Sequence, residues 1–260
     1  MTDKEKYIYD NQKPAYDAIR IDDNQDIQIT PVGNAILEKP KKVIPEYHAR
    51  LKSRIVEVPK EIYQASGIKI LGHRIKSLLF TTDVALIKNT DAQSIIAVYP
   101  FTPQITIMQS IINVASVPVF LGVGGGTTTG DRSVHLAFHA EQLGAYGVVV
   151  NAPMKNEVIA KISQTIDIPV VATISSRKDD FMGKCRAGAD IFNVSAAKDT
   201  ANVVCEIRKQ LGPNFPIIAT GGPTPELISQ TIEAGANAIT YTPPSSADIF
   251  AKIMEDYRHQ

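Results

Sequence analysis

The chain has 260 residues, 44% of them hydrophobic, with 27 basic and 27 acidic side chains. That supplies one large core, while the charge balance excludes global polycationic or polyanionic character as the basis of partner choice. Two cysteines, Cys185 and Cys205, show no CxxC spacing and exclude both a disulfide framework and a cysteine metal site.

The first segment, MTDKEKYIYD, is charged and has no apolar stretch of the signal-peptide kind. No run in the chain is apolar enough to span a bilayer. The expectation is a soluble, reducing, cytoplasmic setting. Residues 1–72 do not follow the rhythm of what comes after, and read as an irregular extension or arm. Pro40, Pro45 and Pro59 punctuate it, and PEYHARLKSRI and PKEIYQASG read as short helices opened by proline. From Lys39 to Lys76 there are ten Lys/Arg against Glu46, Glu57 and Glu61, a net +7. A solvated basic arm is the first reading, and contact with nucleic acid the second.

From His73 to the C-terminus two patterns alternate. One is an apolar strand opened by X-Pro-Val/Ile: SVPVFLGV, DIPVVATI, NFPIIATG. The other is a Gly-Ala helix end running into a strand: LGAYGVVV, AGADIFNV, AGANAITY. Gly144, Gly188 and Gly235 suit the left-handed residue that ends a helix. The strands are apolar on both faces, as buried parallel strands are. Between them, Val158, Ile159, Ile162 and Ile166, and later Leu227, Ile228 and Ile232, return at helical spacing. With KSLLFTT and SIIAVYP added, the sequence holds about eight βα units. That count closes a (βα)8 (TIM) barrel over residues 73–260, in preference to an open doubly wound sheet, because the first strand lacks a GxGxxG turn.

Barrels of this kind carry their sites at the strand C-termini. In PIIATGGPTPEL, Thr224 suits a helix N-cap, Pro225 the first helical position and Glu226 the positive end of the dipole. Gly221 and Gly222 before them suit close approach of an anion, and Ser245 and Ser246 in the last loop are expected to point to the same place. The loop GVGGGTTTGDR suits a second anion nest, with Gly125, Gly126 and Thr127 lining a substrate pocket beside Asn151, Arg177 and Asn193. Asp83 and Lys198 are the acid–base candidates, with helix capping the simpler reading of Asp83 and of Asp131. His135 and His139 share a helix face without a third ligand, and read as surface residues rather than a metal site. No metal and no cofactor is expected.

From Val117 onward, in VVVNAPMKNEVIAKI, IPVVATI, AGADIFNV and IIATGG…IEAGANAI, the chain resembles the phosphate-binding (βα)8 superfamily. The nearest likeness is the 2-keto-3-deoxy-6-phosphogluconate aldolase branch of Schiff-base lyases. The resemblance implies a small anionic, phosphorylated metabolite, lyase or isomerase chemistry, and assembly into homo-oligomers. The position matching that family's imine-forming lysine is Asn193, an amide that cannot form an imine. Two other likenesses imply other functions: ligand-sensing regulators of the glycerol-uptake antiterminator type, and FMN-dependent oxidoreductases or hydrolases on the same fold.

Overall fold

The structure is a computed structural model, and it describes residues 16–21, 27–31, 45 and 56–259. The chain divides into two compact units, residues 1–48 and 49–260. In the first, strands β1 (Tyr16–Ile21) and β2 (Ile27–Pro31) pair antiparallel. The sequence signal for this pairing is present in YDAIRI and IQITP, where isoleucine alternates on either side of the Asp/Asn-rich stretch DDNQD. PEYHARLKSRI lies outside the described residues except for Pro45, which is exposed. PKEIYQASG forms one short 3₁₀ turn, Lys60–Gln64, begun after Pro59.

The second unit opens with a tight hairpin, β3 (Ile68–Ile70) and β4 (His73–Ile75), paired antiparallel. Eight strands then follow: β5 (Ser77–Phe80), β6 (Ser94–Ala97), β7 (Val119–Gly124), β8 (Gly147–Val150), β9 (Val170–Ile174), β10 (Ile191–Val194), β11 (Ile217–Thr220) and β12 (Ala238–Tyr241). All pair parallel with their sequence neighbours, and β12 closes onto β5. The expected (βα)8 barrel is therefore borne out, strand by strand. Eight α-helices among the described residues alternate with the strands: α1 (Val84–Lys88), α2 (Ile105–Val114), α3 (Asp131–Gln142), α4 (Asn156–Thr165), α5 (Phe181–Arg186), α6 (Thr200–Leu211), α7 (Pro225–Glu233) and α8 (Ser246–Arg258). Cys185 and Cys205 fall on α5 and α6, as free thiols.

Side-chain alternation along each strand separates two cores. Leu79, Ile95, Leu121, Val148, Ala172, Phe192, Ala219 and Ile239 face outward onto the helices, in one cluster with Ile159, Ile162, Val203 and Ile207. The other cluster fills the barrel. It takes one residue from each strand: Leu78, Ile96, Phe120, Val149, Val171, Ile191, Ile218 and Ala238. Ile68, Ile70 and Ile75 join this cluster from the β3–β4 hairpin. The hairpin thus plugs the end of the barrel from which the strands start. The apolar face expected on α7 is only partly buried: Ile228 is in the core, while Leu227 is exposed.

The plug hairpin turns at Leu71 and Gly72, with φ of 46° and 84°. Two positive φ values in a two-residue loop mark the turn type that favours Asn-Gly, and leucine is a costly choice for the first position. Leu71 is exposed and contributes little packing. Leu71→Asn is expected to stabilise the protein by about 0.5–1 kcal/mol, read as a higher urea midpoint at unchanged slope. Destabilisation would show that Leu71 packs against something that offsets its backbone strain.

Candidate functional site

Two residues beyond the apolar ring, the same alternation aims eight further side chains inward at the strand C-termini. They are Phe80, Val98, Gly122, Asn151, Thr173, Asn193, Thr220 and Thr240. One side of this second ring is apolar and the other polar, and none of the eight is ionisable. The register supports the grouping: Thr173 stands opposite Asn193, and Thr220 opposite Thr240. Thr220 Oγ1 donates to Val194 O at 3.0 Å. Thr173 Oγ1, Asn193 Oδ1 and Thr240 Oγ1 are buried without a hydrogen-bond partner.

A cavity of about 220 Å³ opens on the β6–β8 side of this ring, with Val98, Tyr99, Phe101, Gly125, Thr127 and Asn151 among its lining. Gly125, at φ +105°, is required here on two counts. The left-handed backbone disfavours any side chain, and a Cβ would meet the Asn151 backbone N at 2.5 Å and O at 2.7 Å. Asn151 N in turn donates to Gly124 O at 2.9 Å, which sets the Asn151 strand end against the glycine loop. Tyr99 Oη accepts from Gln104 N at 2.8 Å, leaving the phenol hydrogen to donate elsewhere. The predicted pocket residues Gly125, Gly126, Thr127 and Asn151 are thus brought together, and Asn193 sits in the adjoining ring.

Arg177 is placed differently. Its Nε and Nη2 grip Asp199 Oδ2 and Oδ1 at 2.6 and 2.8 Å, a bidentate pair tying the loop after β9 to the turn after β10. Hydrogen bonds from Arg177 and Asn202 pull the Asp199 carboxyl down to about 2. Lys198 lies in the adjacent 3₁₀ turn and lines a cleft of about 750 Å³ between α6 and α7, with Ala201, Gly221, Gly222 and Leu227, which borders the ring at Thr220.

The paired glycines have their own local reasons. A Cβ on Gly221 would meet Ile239 Cγ2 at 2.7 Å and Ile228 Cγ1 at 2.8 Å, so glycine lets α7 pack against β12. Gly222 takes φ +82° to turn the chain into the helix. Thr224 caps that helix as expected, Leu227 N donating to its Oγ1 at 3.4 Å, with Pro225 next.

Ser245 and Ser246 stand apart from these glycines' cleft lining. Ser245 forms a capping box with Asp248 at the start of α8. Ser246 Oγ donates to Asp83 Oδ2 at 2.5 Å. Asp83 itself caps α1, accepting from Ala85 N at 2.8 Å and Leu86 N at 3.3 Å. The Ser246 bond holds its carboxyl below the ordinary range, with the amides of Ala85 and Leu86 assisting. A carboxylate so satisfied is a poor proton acceptor near neutral pH. The cap position of α3 belongs to Gly130, not Asp131, which pairs with Lys161 at 3.0 Å. His135 and His139 are exposed on α3, and among the described residues no three His, Cys, Asp or Glu side chains are grouped to hold a metal.

Of the basic stretch 39–76, residues 39–44 and 46–55 lie outside the described residues. Two of its described cations are engaged locally: Arg74 Nε donates to Ser66 O at 2.7 Å and Lys76 Nζ to Tyr63 O at 2.6 Å. No helix among the described residues is long and apolar enough to cross a membrane.

Sequence reasoning places Tyr99 and Thr173 at strand C-termini without giving either a role, and it passes over Thr240. The signal available was phase: counting two residues on from each apolar ring position finds Thr173 and Thr240. It also had no place for Lys184, which is buried and donates to Ala152 O at 2.7 Å, fastening the loop after β8 to α5. Burial pushes the Lys184 ammonium pKa down.

No family model matches the chain. A 120-residue stretch is 32% identical to 4-hydroxy-tetrahydrodipicolinate synthase from Aquifex aeolicus (strain VF5), covering 40% of this chain and 40% of that protein. Among solved structures, a phosphonopyruvate hydrolase superposes with a TM-score of 0.57 at 13% identity, over 74% of this chain and 83% of that one. An oxaloacetate acetylhydrolase gives 0.54 at 12% identity, over 70% and 80%. These likenesses show a (βα)8 barrel fold.

Because the Asp83 carboxyl lies below its ordinary pKa, its contribution to stability is complete above about pH 4 and is lost as pH falls through the lowered folded-state value. Asp83→Asn keeps a capping oxygen but cannot titrate. Acid unfolding curves of wild type and variant are expected to converge at the lowest pH and separate above it, wild type being the more stable. Parallel curves throughout would remove the Ser246–Asp83 bond as the cause.

Proposed function

We propose that the barrel binds a small oxyanion-bearing metabolite at its C-terminal mouth, between Tyr99, the Gly124–Thr128 loop and Asn151. The observation that carries this reading is the cavity at the ends of β6–β8, whose glycine wall leaves no room for a Cβ at Gly125. Its donors are neutral: the Tyr99 phenol, the Thr127 hydroxyl and the Asn151 amide. Neutral dipoles fixed by the fold can hold an anion without a cation beside it. Phosphate and carboxylate both fit that description, and the metabolites implied by the sequence resemblance carry one or the other.

The reaction class supported by the fold, and by the partial likeness to a synthase, is a lyase or isomerase step run without an imine. The amide of Asn193 occupies the ring position where an imine-forming amine would be needed, and the ring holds no amine. Lys198 lines the α6–α7 cleft, which meets the ring at Thr220. A second reading, ligand sensing without turnover, is favoured by one observation: none of the eight ring side chains can take or give a proton near neutral pH. Assembly into oligomers remains part of the proposal, by analogy with other barrels.

Two measurements test this. Borohydride reduction in the presence of pyruvate is expected to leave the mass of the protein unchanged. A lysine adduct would restore the imine mechanism. Calorimetry with oxalate and inorganic phosphate is expected to show binding of at least one. Asn151→Ala or Tyr99→Phe should weaken that binding about tenfold, roughly one charge-assisted hydrogen bond. Binding unaffected by both variants, yet lost in Lys198→Ala, would move the site to the α6–α7 cleft.

A further inference from the structure

The second ring has a property that an anion site does not explain. Thr173 Oγ1, Asn193 Oδ1 and Thr240 Oγ1 are buried and unpartnered, and Thr240 is only 5% exposed. Buried polar groups are nearly always paired, so three orphans on one inner surface call for a partner. Thr173 and Asn193 are themselves only partly buried, which leaves the ring open toward the mouth.

The chemistry of the three atoms narrows what that partner is. A threonine hydroxyl both donates and accepts, whereas Asn Oδ1 only accepts. Phosphate, carboxylate and 2-oxo oxygens also only accept, so they pair with the Asn193 Nδ2 hydrogens and leave Oδ1 itself unanswered. An ammonium would donate, but no carboxylate stands in the ring to pair with a buried cation. A hydroxyl group donates to Asn193 Oδ1 and exchanges hydrogen bonds with either threonine. β10 and β12 are two strands apart, about 10 Å along the wall. Hydrogen bonds of about 2.8 Å at each end leave about 4 Å between the ligand's own oxygens, the reach of a short polyol.

We infer that the ring of Thr173, Asn193 and Thr240 is a hydroxyl-reading subsite, and that the ligand is a hydroxylated molecule whose uncharged polyol end enters the barrel first. This rests on the mouth reading above and adds to it the other end of the ligand: the oxyanion stays at the Gly124–Thr128 loop while the hydroxyls sit deeper. It turns away simple 2-oxo acids of the same length, because their carbonyl leaves Asn193 Oδ1 unpaired.

The test compares glycerol 3-phosphate with n-propyl phosphate, which has the same charge and length but no hydroxyls, by calorimetry on the full chain. A site that hydrogen-bonds a hydroxyl penalises the analogue lacking it by large factors. Glycerol 3-phosphate is expected to bind at least about tenfold tighter. In Asn193→Ala that gap should fall below about threefold, with n-propyl phosphate binding unchanged. Equal affinities in wild type, or a gap that survives Asn193→Ala, would overturn the inference. If neither phosphate binds, the oxyanion reading fails separately and glycerol alone decides. Shifts of the Thr173 and Thr240 methyl resonances that vanish in Asn193→Ala support the subsite, and their absence overturns it. Thr173→Val gives an independent readout in the unliganded protein: removing an unpartnered hydroxyl should leave the melting temperature unchanged or higher. A drop of several degrees would mean that the hydroxyl already has a partner within the protein.

Discussion

Eight inward side chains, one from each strand, fill the barrel below its mouth, and the rest of the structure depends on that packing. Leu78, Ile96, Phe120, Val149, Val171, Ile191, Ile218 and Ala238 close the interior, and Ile68, Ile70 and Ile75 seal it from beneath. Fully burying the valine, leucine, isoleucine and phenylalanine side chains among these stabilises a fold by about 1.5–3 kcal/mol each. The same layer decides where a ligand can go. With Ile68, Ile70 and Ile75 packed beneath the ring, the interior opens toward the strand C-termini. The phase of the strands is also fixed there, since a one-residue slip would turn the apolar ring outward.

The change from the first ring to the second is what makes the mouth chemical. A distance of two residues takes Val149, Val171 and Ile191 to Asn151, Thr173 and Asn193. The strands keep their outward apolar faces throughout, so the helices pack alike at both levels. Function is confined to side chains that the core does not need. It is a neutral chemistry: the charges near the rim, Arg177 with Asp199 and Asp83 with Ser246, are spent on joining loops and starting helices.

Most of the barrel was legible in the sequence because local signals repeat. X-Pro-Val/Ile opens strands, and Gly144, Gly188 and Gly235 end helices at φ of 90°, 100° and 111°. The β3–β4 plug was not read, although IKI-LG-HRI carries an alternating pattern around a two-residue turn. Its leucine at a left-handed position hides the usual Asn-Gly mark. The site was half legible. Glycines that line the cavity and glycines that let a helix approach a strand look alike in sequence. Gly125 is the first kind and Gly221 the second, and only the distances from Cβ to Asn151 and to Ile228 separate them. Ser246 was expected to hold an anion and instead meets Asp83, 163 residues away in the chain, a contact that no local pattern announces.

The central claim is that ligand enters from the strand C-termini and rests on the second ring. Methyl-labelled NMR during a titration with glycerol 3-phosphate tests it most directly. The account predicts shifts at the Thr173, Thr240 and Val98 methyls, with Ile68, Ile70 and Ile75 unmoved beneath the apolar ring. Shifts confined to Leu227 and Ala201 in the α6–α7 cleft, or to the isoleucines of the plug, would contradict it.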